Sequence, residues 1–289
     1  MTALLAGSPT RRSRAYYAAV AAGFFVFGAV AGLVVWKLLT AGAFASRRWE
    51  TFGHWTTWRF LLQGFAVNLR AGGVAGVLAL TLGLVLGLGR LSRSFYIRWP
   101  STAWIEVFRS LPLLYLIFFA AVFFPRYTGW DAPILSYGIA ALVAYNSAIL
   151  AEIVRAGVLS LDRGQREAAQ SLGLTYWQSM RLVLLPQALR RMVPALVSQV
   201  ITLLKDTSLL YVIAVLELTR KGRILQSGQA NPFQTYFVVG MIFLSVNLTL
   251  SQLSRRLEVR QRRRYGAGAI KVKGIEDLTA LEVHGEAEA

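Results

Sequence analysis

The residues in this sequence that could do chemistry are few, and they are charged or amide side chains set into apolar runs. Lys205 and Asp206 are adjacent in a stretch otherwise uncharged from Pro194 to Leu216. A charge at the centre of a membrane helix costs about 2.5–3.5 kcal/mol on insertion scales, so such residues face protein or water. Neighbouring helix positions point about 100° apart, which makes the two poor partners for each other. Each needs a group on another helix, either as a structural ion pair or as part of a path for a solute carrying both signs of charge. Glu106 with Arg109, and Glu152 with Arg155, are spaced i,i+3 and can close on one helix face, as structural pairs or as a gate. Asn146 interrupts another apolar run, where an amide either joins two helices or meets a ligand.

This is the chemistry of binding and passage rather than of bond making. The chain has no Cys, and His54 and His284 are its two histidines. Disulfides, thiol nucleophiles and Cys- or His-rich metal sites are therefore excluded. No Ser/His/Asp or paired-carboxylate arrangement can be picked out, and no G-x-x-x-x-G-K-[ST] phosphate loop occurs. The chain is expected to carry no catalytic residue, no metal and no nucleotide of its own.

The elements that position these residues are membrane helices. Of 289 residues, 55% are hydrophobic and 16% charged, which points to an integral membrane protein. Apolar runs long enough to cross the hydrocarbon core cover 15–36, 71–89, 134–151 and 230–254, all uncharged. Two more carry charges, at 99–125 and 194–216. The expected fold class is all-α integral membrane, with six spans. Gly72 to Gly76 and Gly83 to Gly87 fit G-x-x-x-G, which lets helix backbones approach closely, within the chain or across a dimer.

The net charge is +17, from 31 basic and 14 acidic residues. On a soluble protein this would suggest nucleic acid; beside these apolar runs it orients helices and meets anionic lipid. Basic clusters at 11–14, 90–98, 163–191 and 255–264 fall on one side if both termini are cytoplasmic. Arg220, Lys221 and Arg223 weaken the contrast. Arg11 to Arg14 followed by an apolar run and AFA at 43–45 has the outline of a signal peptide, but the run is long for one, and a retained helix is expected. The final residues, 261–289, read as a basic run followed by an acidic, disordered tail.

The sequence REAAQSLGLTYWQSMRLVLLPQALRRMVP, at 166–194, is water-tolerant and sits between two spans. Asp162 with Gln165, and Thr175 with Gln178, fit capping boxes at the starts of two short helices. Gly173 stands where the first must end, since a left-handed C′ position favours glycine. Trp177, Met180 and Leu184 recur on one face of the second, and Pro186 and Pro194 are expected to stop it before the next span. Such a hairpin either lies on lipid or docks into a partner's groove.

The spelling Glu167-Ala168-Ala169, then Gly173, Val183 and Leu185-Pro186, resembles the EAA loop of binding-protein-dependent ABC importer permeases; the family usually has isoleucine where Val183 stands. AVNLRAGG, YNSAILAEIVRAG, FRSLPLL (108–114) and LLKDTSLLYVIAVLELTR are similar to the polar amino acid subfamily. The resemblance runs from about Gly64 to about Arg260. It implies a type I ABC importer-like transmembrane domain of five core helices at 60–260, with a coupling loop at 159–195. The helix at 15–40 is extra, and 1–14 is a cytoplasmic tail. It further implies a bacterial cell membrane location and ATP with magnesium on a separate ATPase subunit. The implied partners are a second permease subunit, homologous or identical, and an extracytoplasmic binding protein. The solute would be a polar amino acid, glutamate first. A secondary transporter or channel for a small polar solute, working without ATP, and a membrane scaffold are the readings from other classes.

Overall fold

The computed structural model describes residues 14–129, 131–229 and 231–256; the two chain tails expected from the sequence lie outside the described residues. Among these residues the long elements are helices: α1 (Arg14–Thr40), α2 (Trp55–Arg90), α3 (Phe95–Ser110), α4 (Leu113–Thr128), α5 (Ile134–Leu159), α6 (Arg163–Ser171), α7 (Tyr176–Ile213), α8 (Leu218–Gln229) and α9 (Pro232–Arg256). Five of them, α1, α2, α5, α7 and α9, are long and apolar enough to cross a membrane by themselves.

The third expected span, at 99–125, is not one helix. Its two halves, α3 and α4, meet at an angle of 104°. The cause is Pro112, whose ring forces the preceding residue out of the helical region. Leu111 accordingly takes φ −87°, ψ 136° and Pro112 φ −63°, ψ 129°.

The fifth expected span also differs, because it is far longer than 194–216. Helix α7 runs unbroken from the hairpin into the membrane, through both prolines. Pro186 lacks an N–H and its ring crowds the carbonyl four residues back. Residues Met180–Leu184 answer by widening into a π turn, with Leu185 N–H bonded to Met180 O. Proline therefore shapes this helix rather than ending it.

Glycine sets the packing. A β-carbon at Gly83 would lie 2.7 Å from Leu150 Cβ, and one at Gly87 would lie 2.8 Å from Ala151 O, so α2 and α5 touch backbone to backbone. Gly72 likewise faces Leu204 of α7 at 2.9 Å. Both G-x-x-x-G motifs thus serve contacts inside the chain. Around them Ala71, Ala75 and Ala79 of α2, Leu116 and Ile117 of α4, Leu142 and Leu150 of α5 and Leu203 of α7 form the main core. The turn after α1 is tied down separately. Ala43 O accepts the Trp49 indole N–H at 3.1 Å and the Gln234 amide of α9.

Candidate docking hairpin and polar helix interface

The hairpin is built by short-range bonds. Helix α6 closes in a Schellman pattern, with Gly173 N–H on Gln170 O (2.9 Å) and Leu174 N–H on Ala169 O (3.2 Å). Gly173 has φ +75° and no atom near its α-hydrogens, so glycine is needed for the backbone angle and not for space. Thr175 and Gln178 form the expected capping box at the start of α7. The one expected at Asp162 does not form. Its carboxylate, largely in solvent, faces Arg191 of α7 at 3.8 Å instead.

The expected inner face of the second helix needs one correction. Met180 and Leu184 are buried, but Trp177 is 48% exposed. Tyr176 takes the inward place, because the π turn keeps positions four apart, 176, 180, 184 and 188, on one stripe. Ala169 is buried in the angle of the hairpin, while Glu167 and Ala168 are exposed. Val183 and Leu185 are half-buried and Pro186 is exposed. Leu172, at 79% exposure, stands with Trp177 and Leu182 as large apolar side chains left uncovered beside charged ones. Nothing in the spelling of the motif marked Leu172 as the most exposed of them.

At the α5–α7 interface Asn146 is fully buried. Its Nδ2 donates to Leu142 O (3.0 Å) and its Oδ1 accepts from Gln199 Nε2 (2.9 Å), with the Asp206 side chain close by. Asn146 and Asp206 are thus brought together, with Gln199 as a member sequence reasoning missed. Its signal was its spacing, seven residues before Asp206 and hence on the same face of the helix. The expected structural ion pair does not form, since neither Lys205 nor Asp206 has an ion partner among the described residues. Lys205 is exposed. The regular α-helix ends at Asp206 and tightens to 3₁₀ over Thr207–Ile213, so both charges lie where the helix changes pitch.

The two i,i+3 pairs do close, Arg109 on Glu106 at 3.0 Å and Arg155 on Glu152 at 3.1 Å. A third cation joins them. Arg90, the last residue of α2, pairs with Glu106 of α3 at 2.7 Å and with Glu152 of α5. Three helices therefore share one ionic node.

A second node was not foreseen. Glu217, fully buried, caps α8 by accepting the backbone N–H groups of Thr219 (2.9 Å) and Arg220 (2.6 Å). Asn68 of α2, also fully buried, donates to Glu217 (3.1 Å) and to Thr207 Oγ1 (3.0 Å), and accepts Leu218 N–H (3.0 Å). Burial pushes the Glu217 carboxyl up, against the downward pull of these donors. Helix α2 can come this close because a β-carbon at Gly64 would already lie 3.0 Å from the Glu217–Leu218 backbone. The available signal was Gly64, Asn68 and Gly72 at four-residue spacing, one polar residue on a glycine face.

No group of three or more His, Asp or Glu side chains among the described residues could hold a metal. The arrangement holds helices together at polar nodes and presents a hairpin outward.

Comparison with known proteins agrees in kind. Residues 79–263 match the family of binding-protein-dependent transport system inner membrane components. The probable glutamine ABC transporter permease protein GlnP of Bacillus subtilis is 41% identical over 205 residues, 70% of this chain and 94% of that one. The glutamate transport system permease protein GluD of Corynebacterium glutamicum is 37% identical over 220 residues, 75% of this chain and 81% of that one. Among solved structures, a chain of an amino acid ABC transporter crystallised with histidines superposes with a TM-score of 0.65. It is 33% identical and is covered to 94%, against 71% of this chain. With its broken third span and its outward hairpin, the chain belongs to the inner membrane permease components of binding-protein-dependent ABC transport systems.

Proposed function

We propose that this permease carries glutamate, driven by ATP hydrolysed on a separate subunit. That it is a transmembrane permease of a polar amino acid ABC importer follows from its family. The finer reading rests on one observation, the exposed Lys205 next to Asp206, whose side chain lies close to buried Asn146. An exposed cation with no ion partner among the described residues suits a solute with one more carboxylate than cation. Relatives whose names give glutamate or glutamate and aspartate support this reading, and those named for glutamine supply the competitor.

In this reading the hairpin from Glu167 to Pro186 seats in the ATPase subunit, which binds ATP and magnesium. Exposed Leu172 and Trp177 form its apolar contact. Closure of two such subunits moves the hairpin and opens the helices toward an extracytoplasmic binding protein. A second permease subunit completes the path. With the hairpin side taken as cytoplasmic, an even number of crossings, counting α3 with α4 as one, supports the reading that both termini share that side.

The test is uptake into proteoliposomes holding the assembled transporter, with labelled glutamate and labelled glutamine in separate reactions. Glutamate uptake that falls about tenfold or more in Lys205→Gln, with glutamine little changed, is the expected result; a tenfold change corresponds to about 1.4 kcal/mol. Equal losses for both would make Lys205 structural, and glutamine uptake alone would move the substrate to glutamine.

A further inference from the structure

The hairpin is continuous in the chain with α5 and α7, so a push on it reaches those two helices directly. Helices α2 and α3 have no such connection. They meet the hairpin through apolar packing of Leu84, Leu88 and Leu91 on the cluster that holds Met180 and Leu184, and through one polar side chain. The Tyr176 hydroxyl donates to Leu91 O, and the Arg93 guanidinium lies 4.8 Å over the Tyr176 ring. Leu91 and Arg93 belong to the short turn between α2 and α3. Leu91 caps α2, so its carbonyl is one of those a helix end leaves without an internal partner, and Tyr176 supplies the donor. The same turn is stiffened by Ser94 N–H on Ser92 Oγ. The residue just before it is Arg90, which holds Glu106 of α3 and Glu152 of α5.

We propose that Tyr176 is the positioning residue that couples the hairpin to the α2–α3 turn, and through Arg90 to the ionic node of α2, α3 and α5. It faces inward while Leu172 and Trp177 face outward, so contact with the partner and transmission to the membrane helices fall on different side chains. Tyr176 moves with the hairpin and takes the end of α2 with it. Without the bond, the α2–α3 turn follows the hairpin less closely and motion reaches it only through the packing of α2 on α5 and α7. Hydrolysis then continues but opens the path less often. This rests on the reading of the hairpin as an ATPase seat.

The experiment compares parent, Tyr176→Phe, Arg93→Gln and Arg93→Lys as complete transporters purified with their ATPase and reconstituted in proteoliposomes. It measures bound ATPase, ATP hydrolysis and solute moved per ATP. Tyr176→Phe keeps the ring and removes only the donor. The ATPase is expected to remain bound, with solute per ATP falling about 3- to 10-fold, the range one hydrogen bond supports. Arg93→Gln should lower the same ratio, with Arg93→Lys restoring most of it. Tyr176→Phe combined with Glu106→Gln should be no worse than the more severe single variant, because both act through one turn. An unchanged ratio, or transport and hydrolysis falling together with the amount of protein, overturns the proposal and leaves Tyr176 a packing residue. Absence of any bound ATPase from the parent overturns the seat itself, which separates the two failures.

Discussion

Helices α1 and α2 look alike as sequence and behave oppositely as structure. Both are long and apolar, and both carry glycines four apart, Gly28 and Gly32 in α1 and Gly83 and Gly87 in α2. Yet none of the apolar window of α1 is buried in the chain, against 39% for α2. A β-carbon at Gly28 or Gly32 would meet nothing within 4 Å, whereas those at Gly83 and Gly87 would meet α5 at 2.7–2.8 Å. The difference teaches that hydropathy and glycine spacing report a membrane helix able to pack, not one that does. What decides is a complementary surface at the right depth, and here α5 supplies it to α2 and not to α1.

That contrast can be broken most forcefully at the glycines. Gly87→Leu should destabilise by about 3 kcal/mol or more, beyond the usual overpacking range because backbone atoms of α5 stand in the way. Thermal unfolding of the detergent-purified protein, and its yield in the membrane, would register it. Gly28→Leu should leave both unchanged within about 0.5 kcal/mol. Equal damage from the two would mean that α1 has a close neighbour, and the contrast would fail.

The next largest effect is expected at Asn68. Replacing it with Leu strands the Leu218 N–H and strips one donor from a buried carboxylate, at a cost of about 1–3 kcal/mol. A melting temperature equal to the parent's would show that water reaches this node and that α2 is not sealed there. Gly173→Ala should cost about 1–2 kcal/mol, since an L residue at φ +75° is strained even with room around it. The effect should stay local, appearing as faster proteolysis within 163–185 and weaker ATPase capture rather than as global unfolding. Smallest is Arg90→Gln, about 0.2–1 kcal/mol, because both carboxylates keep their own i,i+3 arginine and the site is partly in solvent. A double-mutant cycle with Glu152→Gln would show whether the node is worth more than its pairs.

Much of the hairpin was legible before any coordinates. Gly173 as a left-handed stop and the Thr175–Gln178 box, like the closing of Glu106 on Arg109 in α3, depend on residues three to five apart. The failures are equally specific. Pro186 reads as a stop, and only a turn wide enough to pass it reveals α7 as one helix. Trp177 reads as inward by α-helical spacing, and the same wide turn gives that place to Tyr176. Asp162 reads as a cap, but its carboxylate meets a cation on another helix.

The sequence by itself determined that this chain lives in a membrane, about how often it crosses, and that a hairpin with an EAA signature lies between two spans. Apolar length, charge and local capping are properties of short segments, and short segments are what a sequence displays. Tertiary structure alone decided that Asn68 meets Glu217 and Thr207, that Arg90 unites Glu106 with Glu152, and that Asn146 meets Gln199. These contacts join residues from 16 to 149 positions apart. In an apolar medium an unpaired polar group is costly wherever it sits, so each such residue must find a partner. Which partner it finds is settled by how closely the glycine faces let the helices approach.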